Sequence, residues 1–198
     1  MSITLTYFDF DGSRGLECRL ALTAAGLDFE DIRVTREQWL ALKPTLPYGA
    51  LPLLTVDDRR LAQSTAILGY IGRAHDLHPA DPWIAAEHDD LMHSVEDLRA
   101  KVPGRRGMSD DEKKEAREAF AAGWLTRWGD TISARIAGPF LEGDRLSVAD
   151  IKLYVILRAY LSDSYDHIPA ATFDAWPKLL ALHAAVDAHP SVQSYFAR

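Results

Sequence analysis

The sequence predicts an α/β domain of order β-α-β-β-β-α followed by an all-helical domain. Three observations lead there. Strand and helix patterns alternate through the first seventy-odd residues. From His75 onward the chain becomes Ala-rich and helical in period, with no convincing strand. Between the two stretches, Pro79 and Pro82 bracket a short break. The expected division is residues 1–76, a linker at 77–82 and residues 83–198.

Each element has its own signal. Ile3 to Phe10 is apolar, partly alternating and β-rich, so it reads as a strand. Gly12-Ser13-Arg14-Gly15 is a turn, and Leu16 to Ala25 reads as a helix closed by Gly26 at the C′ position. Phe29 to Val34 is a second strand. That completes a β-α-β unit, which implies parallel pairing and a right-handed crossover. Thr35 to Ala50, with Pro44, Pro47 and Gly49, reads as a loop. Leu51 to Val56 is a third strand, Asp57-Asp58 a tight turn, Arg60 to Ala62 a short fourth strand, and Ser64 opens a helix through about Ala74. A strand–Pro–strand hairpin after a β-α-β unit is the thioredoxin-like plan.

The second part reads as helices with marked starts. Trp83 to about Val102 is one long helix, stopped by Pro103-Gly104. Ser109-Asp110-Asp111-Glu112 matches a capping box opening a second. Ser147-Val148-Ala149-Asp150 places a carboxylate at N3 of a third. Pro177 and Pro190 suit the first positions of two more.

Composition narrows the classes. The 198 residues are 47% hydrophobic and 26% charged, ordinary for a globular chain and long enough to bury a sizeable core. No run of 18 apolar residues is present, so no membrane span is expected. The start, Met1-Ser2-Ile3-Thr4, has no basic region and no long apolar core, so no secretory signal is expected. A net charge of −7 without a basic stripe argues against nucleic acid as a partner. One cysteine excludes an intrachain disulfide and fits a reducing cytoplasm.

Five short segments carry a resemblance that covers nearly the whole chain. They are Tyr7-Phe8, Leu51-Pro52, Gln63-Ser64, Val95-Glu96-Asp97-Leu98-Arg99, and Ser147-Val148-Ala149-Asp150 after Phe140-Leu141-Glu142-Gly143. In this order and near these spacings they resemble the tyrosine-type cytosolic glutathione transferases of the pi and sigma classes. The resemblance implies a detoxifying homodimer that uses glutathione as co-substrate, with no further cofactor and no metal.

It also implies roles. A free thiol has a pKa of about 8.5 and becomes a good nucleophile only as the thiolate. Tyr7 is expected to donate its hydroxyl proton to the glutathione sulfur and so stabilise the charged form. Arg14 is expected near the sulfur, although the turn after Tyr7 is one residue longer than the family's pattern and Asp11 stands where many relatives carry Arg. Pro52 is expected to be cis, which leaves the backbone of Ala50 and Leu51 to pair with the cysteinyl unit like an added strand. Gln63 and Ser64, at a helix start, suit the γ-glutamyl carboxylate. Trp39 and Lys43 are expected to reach the glycyl carboxylate. Asp97 is expected to cross a twofold interface to the γ-glutamyl ammonium, with Glu96 assisting. Ser147 and Asp150 are read as caps, each worth about 1 kcal/mol.

The pocket for a small hydrophobic electrophile is expected to be lined by Phe8, Phe10, Arg14, Lys101, Val102, Arg105 and Lys152. Pro103-Gly104-Arg105-Arg106-Gly107 replaces the aromatic or branched residues common in relatives, and the chain ends at Arg198 soon after the last helix. An open pocket with basic residues at its rim follows, suited to large or anionic electrophiles. Alternatives within the fold are glutathione-dependent isomerisation or peroxide reduction. A further alternative is a non-catalytic ligand-binding relative. Cys18 lies inside the first helix and reads as structural. His88 and His93, five apart, sit about 140° around a helix and share no face for a metal.

Overall fold

The computed structural model describes residues 1–104 and 107–197. Strands β1 (Ile3–Phe8), β2 (Glu30–Val34), β3 (Leu53–Val56) and β4 (Arg59–Ala62) form one sheet in the order β2-β1-β3-β4. β1 pairs parallel with β2, Thr4 opposite Glu30, as the crossover helix α1 (Ser13–Ala24) requires. β3 runs antiparallel to both β1 and β4, with Thr6 opposite Leu53 and Leu53 opposite Ala62. Helix α3 (Ser64–Ala74) packs beside α1. This is the thioredoxin-like arrangement that the sequence predicts.

The first three predicted strands are longer than those formed, and the fourth is one residue shorter. β1 stops at Phe8 rather than Phe10, and β3 starts at Leu53 rather than Leu51, because the β1–β3 ladder begins at the Thr6–Leu53 pair. The stretch read as loop also holds a helix, α2 (Arg36–Leu42). A capping box starts it: Gln38 N–H donates to Thr35 Oγ1 at 3.2 Å, and Gln38 Oε1 accepts from Thr35 N–H at 2.8 Å. None of its residues is buried, so it has no apolar stripe for the eye to find.

Helices fill the rest: α4 (Pro82–Lys101), α5 (Asp110–Phe120), α6 (Thr126–Arg135), α7 (Val148–Leu161), α8 (Pro177–Asp187) and α9 (Pro190–Phe196). Asp81 caps α4 by accepting from the N–H groups of Trp83 and Ile84 at 2.8 and 3.0 Å. A π-helical turn, Ala121–Leu125, joins α5 to α6. Nearly all of α7 is buried, and it packs against α1, α4 and α8. Leu16, Leu20, Ile67, Leu91, Met92, Val155 and Leu179 belong to one continuous core, so the two architectures share a single interior.

Candidate active site

Tyr7 lies near the end of β1, its ring 5% exposed. Gly15 makes room for it: a Cβ at that position would stand 1.9 Å from a ring carbon. Arg19, fully buried, lies with its guanidinium 5.8 Å from the ring centroid. It also clamps the loop after β1, donating to the carbonyls of Phe10 and Phe8 at 2.9 and 3.3 Å and pairing with Asp31 at 2.9 Å. Burial pushes the Tyr7 phenol above its ordinary value, against the opposing pull of a hydrogen bond with Ser13 and the charge of Arg14. The hydroxyl therefore keeps its proton at neutral pH.

The Leu51–Pro52 peptide bond is cis. Gln63 caps α3 with φ 71°, a left-handed conformation that costs a non-glycine residue about 1 kcal/mol and tends to occur at functional sites. Ser64 is the first helical residue rather than the cap. A cavity of about 190 Å³ is bordered by Arg14, Ala50, Leu51, Pro52, Gln63, Ser64 and Glu96. It adjoins a second, of about 560 Å³, that Gln63, Ser64 and Glu96 also line. The unpaired N–H groups and positive dipole end of α3 favour an anion here.

Beneath this corner sits a cluster of five charged side chains from α1, α4 and α7. Arg14 donates from Nε and Nη2 to Glu96 Oε2 at 2.9 and 2.5 Å. Arg99 bridges Glu96, at 2.7 Å, and Glu17. Lys152 donates to Glu17 at 2.8 Å and to Glu96 at 2.7 Å. Burial works to raise the Glu96 carboxyl, but the charges of Lys152 and Arg99 overcome it and hold the group at about 2.

Residues 3–73 match the glutathione S-transferase N-terminal domain, and residues 96–198 match the glutathione S-transferase C-terminal domain. The chain belongs to the glutathione S-transferase family. It is 46% identical over 98 residues to glutathione S-transferase 1 of Ascaris suum, spanning 50% of this chain and about half, 47%, of that protein. It is 29% identical over 198 residues to the probable glutathione S-transferase 7 of Caenorhabditis elegans, covering 96% of this chain and 93% of the relative. Among solved structures, the prostaglandin synthase D of Nilaparvata lugens superposes with a TM-score of 0.87 at 28% identity, over 100% of this chain and 98% of the other.

Within this family fold, the expected glutathione residues fall into two groups. Arg14, Ala50, Leu51, Pro52, Gln63 and Ser64 meet around the smaller cavity. Trp39 and Lys43 stand together, the ammonium 5.0 Å from the indole centroid, and the indole packs edge-on against Phe8 at 5.6 Å. Trp39 Nε1 is buried with no hydrogen-bond partner among the described residues. Phe8 and Phe10 flank Tyr7 at 5.5 and 5.7 Å between ring centroids, and Phe10 is largely exposed. Asp97 is exposed on α4.

The expected electrophile rim needs correction. Lys152 is not at a rim: it is fully buried, held by two carboxylates and by Ser64. Val102 is buried in the shared core rather than lining an open pocket. Lys101 is exposed, its ammonium 5.8 Å from the Trp124 ring centroid. Arg105 lies outside the described residues.

Sequence reasoning missed Ser13, Gly15, Glu17, Arg19 and Arg99. One signal was available: Glu17 and Arg19 interrupt an apolar helical stretch, and charged residues at core positions need partners. Burial pushes the Cys18 thiol up, in keeping with an inert cysteine. Among the described residues no His, Cys, Asp and Glu group is arranged to hold a metal, and no helix is long and apolar enough to cross a membrane.

Proposed function

We propose that this chain is a glutathione transferase in which Tyr7 stabilises the thiolate of bound glutathione. The observation that carries the reading is the meeting of Arg14, Pro52, Gln63 and Ser64 around one cavity in a chain of this family. The buried, protonated Tyr7 hydroxyl is a donor suited to a thiolate. The thiol proton passes to solvent water, and the thiolate sulfur then attacks an electrophilic carbon. A C–S bond forms as the leaving group departs with its bonding electrons. Positioning and thiolate stabilisation supply the catalysis. The buried Trp39 indole N–H, beside Lys43, suits the glycyl carboxylate, which would satisfy a donor that is costly to leave unpaired.

The working unit in this reading is a cytoplasmic homodimer whose second copy lends Asp97. Exposed Met1 and Tyr70 border a cavity of about 590 Å³ along β3, β4 and α3, and Asp57, Asp58, Arg59 and Arg60 also line it, a mixed apolar and charged face suited to a second copy. Likeness to the prostaglandin synthase D of Nilaparvata lugens favours a second reading, glutathione-dependent isomerisation.

Calorimetric titration with glutathione, followed by a chlorodinitrobenzene-type electrophile and absorbance, tests these readings. Binding with conjugation supports the transferase. Binding without conjugation moves the assignment to isomerase or ligand carrier. Tyr7→Phe is expected to keep the affinity for glutathione within about twofold, raise the pKa of the bound thiol and cut turnover at pH 6 to 8. Unchanged turnover over that range would remove Tyr7 from the mechanism.

A further inference from the structure

Under the start of α3, three cations, Arg14, Arg99 and Lys152, are paired with the carboxylates of Glu17 and Glu96. Lys152 is the cluster's only member that also touches Ser64. An ammonium has three N–H donors. Those of Lys152 go to Glu17 Oε2 at 2.8 Å, Glu96 Oε1 at 2.7 Å and Ser64 Oγ at 3.3 Å.

That third bond fixes the role of the hydroxyl. Ser64 Oγ is the acceptor, so its own proton points elsewhere. No acceptor for that proton exists among the described residues, and Ser64 lines both neighbouring cavities. A hydroxyl that accepts from a cation is also polarised into a stronger donor.

We propose that Lys152 is a positioning residue for glutathione. By holding the Ser64 oxygen it turns the Ser64 proton toward the α-carboxylate of the γ-glutamyl unit. The proposal rests on the glutathione reading given above. It assigns Lys152 to the thiol peptide rather than to the electrophile, and to the binding of glutathione rather than to the reacting sulfur.

The test compares two ligands. One is glutathione. The other is γ-aminobutyryl-cysteinyl-glycine, which lacks only the α-carboxylate. Lys152→Met alone would leave two buried carboxylates short of a partner and endanger folding. The principal variant is therefore Lys152→Met with Glu17→Gln, which removes one charge of each sign. Ser64→Ala and the neutral Lys152→Gln are read beside it, each checked by circular dichroism. Calorimetry at pH 7 gives the Kd values, and steady-state kinetics give KM and kcat.

In all three variants glutathione is expected to bind about tenfold more weakly, near 1.4 kcal/mol. The carboxylate-free peptide should bind within about twofold of wild type. KM for glutathione should rise while kcat at saturation and the pKa of the bound thiol hold. Equal weakening of both ligands would make Lys152 purely structural and overturn the proposal, as would an unchanged glutathione Kd in folded Lys152 variants. A wild-type protein that binds neither ligand would overturn the glutathione reading itself, and this proposal with it.

Discussion

The starts of α5 and α7 carry the same four-residue device in different surroundings. At α5 the Ser109 hydroxyl accepts from Glu112 N–H at 3.3 Å, and the Glu112 carboxylate accepts from Ser109 N–H at 2.8 Å, all of it in solvent. At α7 the Ser147 hydroxyl accepts from Asp150 N–H at 3.3 Å, and Asp150 accepts from Ser147 N–H at 2.8 Å. Here the box is buried, and the second Asp150 oxygen takes the Leu141 amide at 2.8 Å. The exposed box replaces bonds that water would otherwise make. The buried box satisfies donors that water cannot reach. One motif thus gives one geometry, and burial sets what that geometry is worth.

The largest effect is expected at the buried box. Asp150→Ala strands two buried N–H groups and should cost about 2–4 kcal/mol, more than an ordinary cap. Urea unfolding measures it. Asp150 touches neither cavity, so the folded variant should bind glutathione as wild type does. A loss as small as that of the exposed box would break the comparison.

Next in size is a charge effect at Glu96, which lines both cavities. The Glu96 carboxyl is held at about 2 against a usual 4.5. A lowered folded-state value contributes stability that is full above pH 4.5 and lost as pH falls toward 2. The difference amounts to about 3 kcal/mol. Wild type should therefore exceed Glu96→Gln in stability at pH 7, and the gap should close near pH 2. Unfolding curves at several pH values check this, and a gap independent of pH would sink it.

Local signals were legible and long-range ones were not. The capping boxes of α5 and α7 and the prolines opening α8 and α9 depend on near neighbours, and each of these helices starts where its signal lies. Helix α2 was read as loop because Pro44, Pro47 and Gly49 follow within a few residues, although its Thr35–Gln38 capping box is a local signal too. The charged cluster escaped for a different reason: Arg99 and Glu17 are 82 positions apart, and Lys152 and Glu17 are 135 apart. No period or spacing joins them. Lys152, the fifth residue of α7, was placed in the electrophile pocket by resemblance, since nothing local shows the distant carboxylates that bury it. The glutathione roles came from resemblance, because Tyr7 by pattern alone is one more strand aromatic.

The smallest effect is expected from Ser109→Ala, and it is the control that gives the first comparison its meaning. Ser109 offers the same hydroxyl to the same backbone position as Ser147 does, so local geometry alone would predict equal losses. Solvent reaches the Ser109 box, and water can take over both bonds once the hydroxyl is gone. The midpoint of urea unfolding should therefore move by well under half the shift of the matching variant Ser147→Ala, with conjugation unchanged. An equal shift at the two helices would mean that the cap itself, and not its burial, sets the cost.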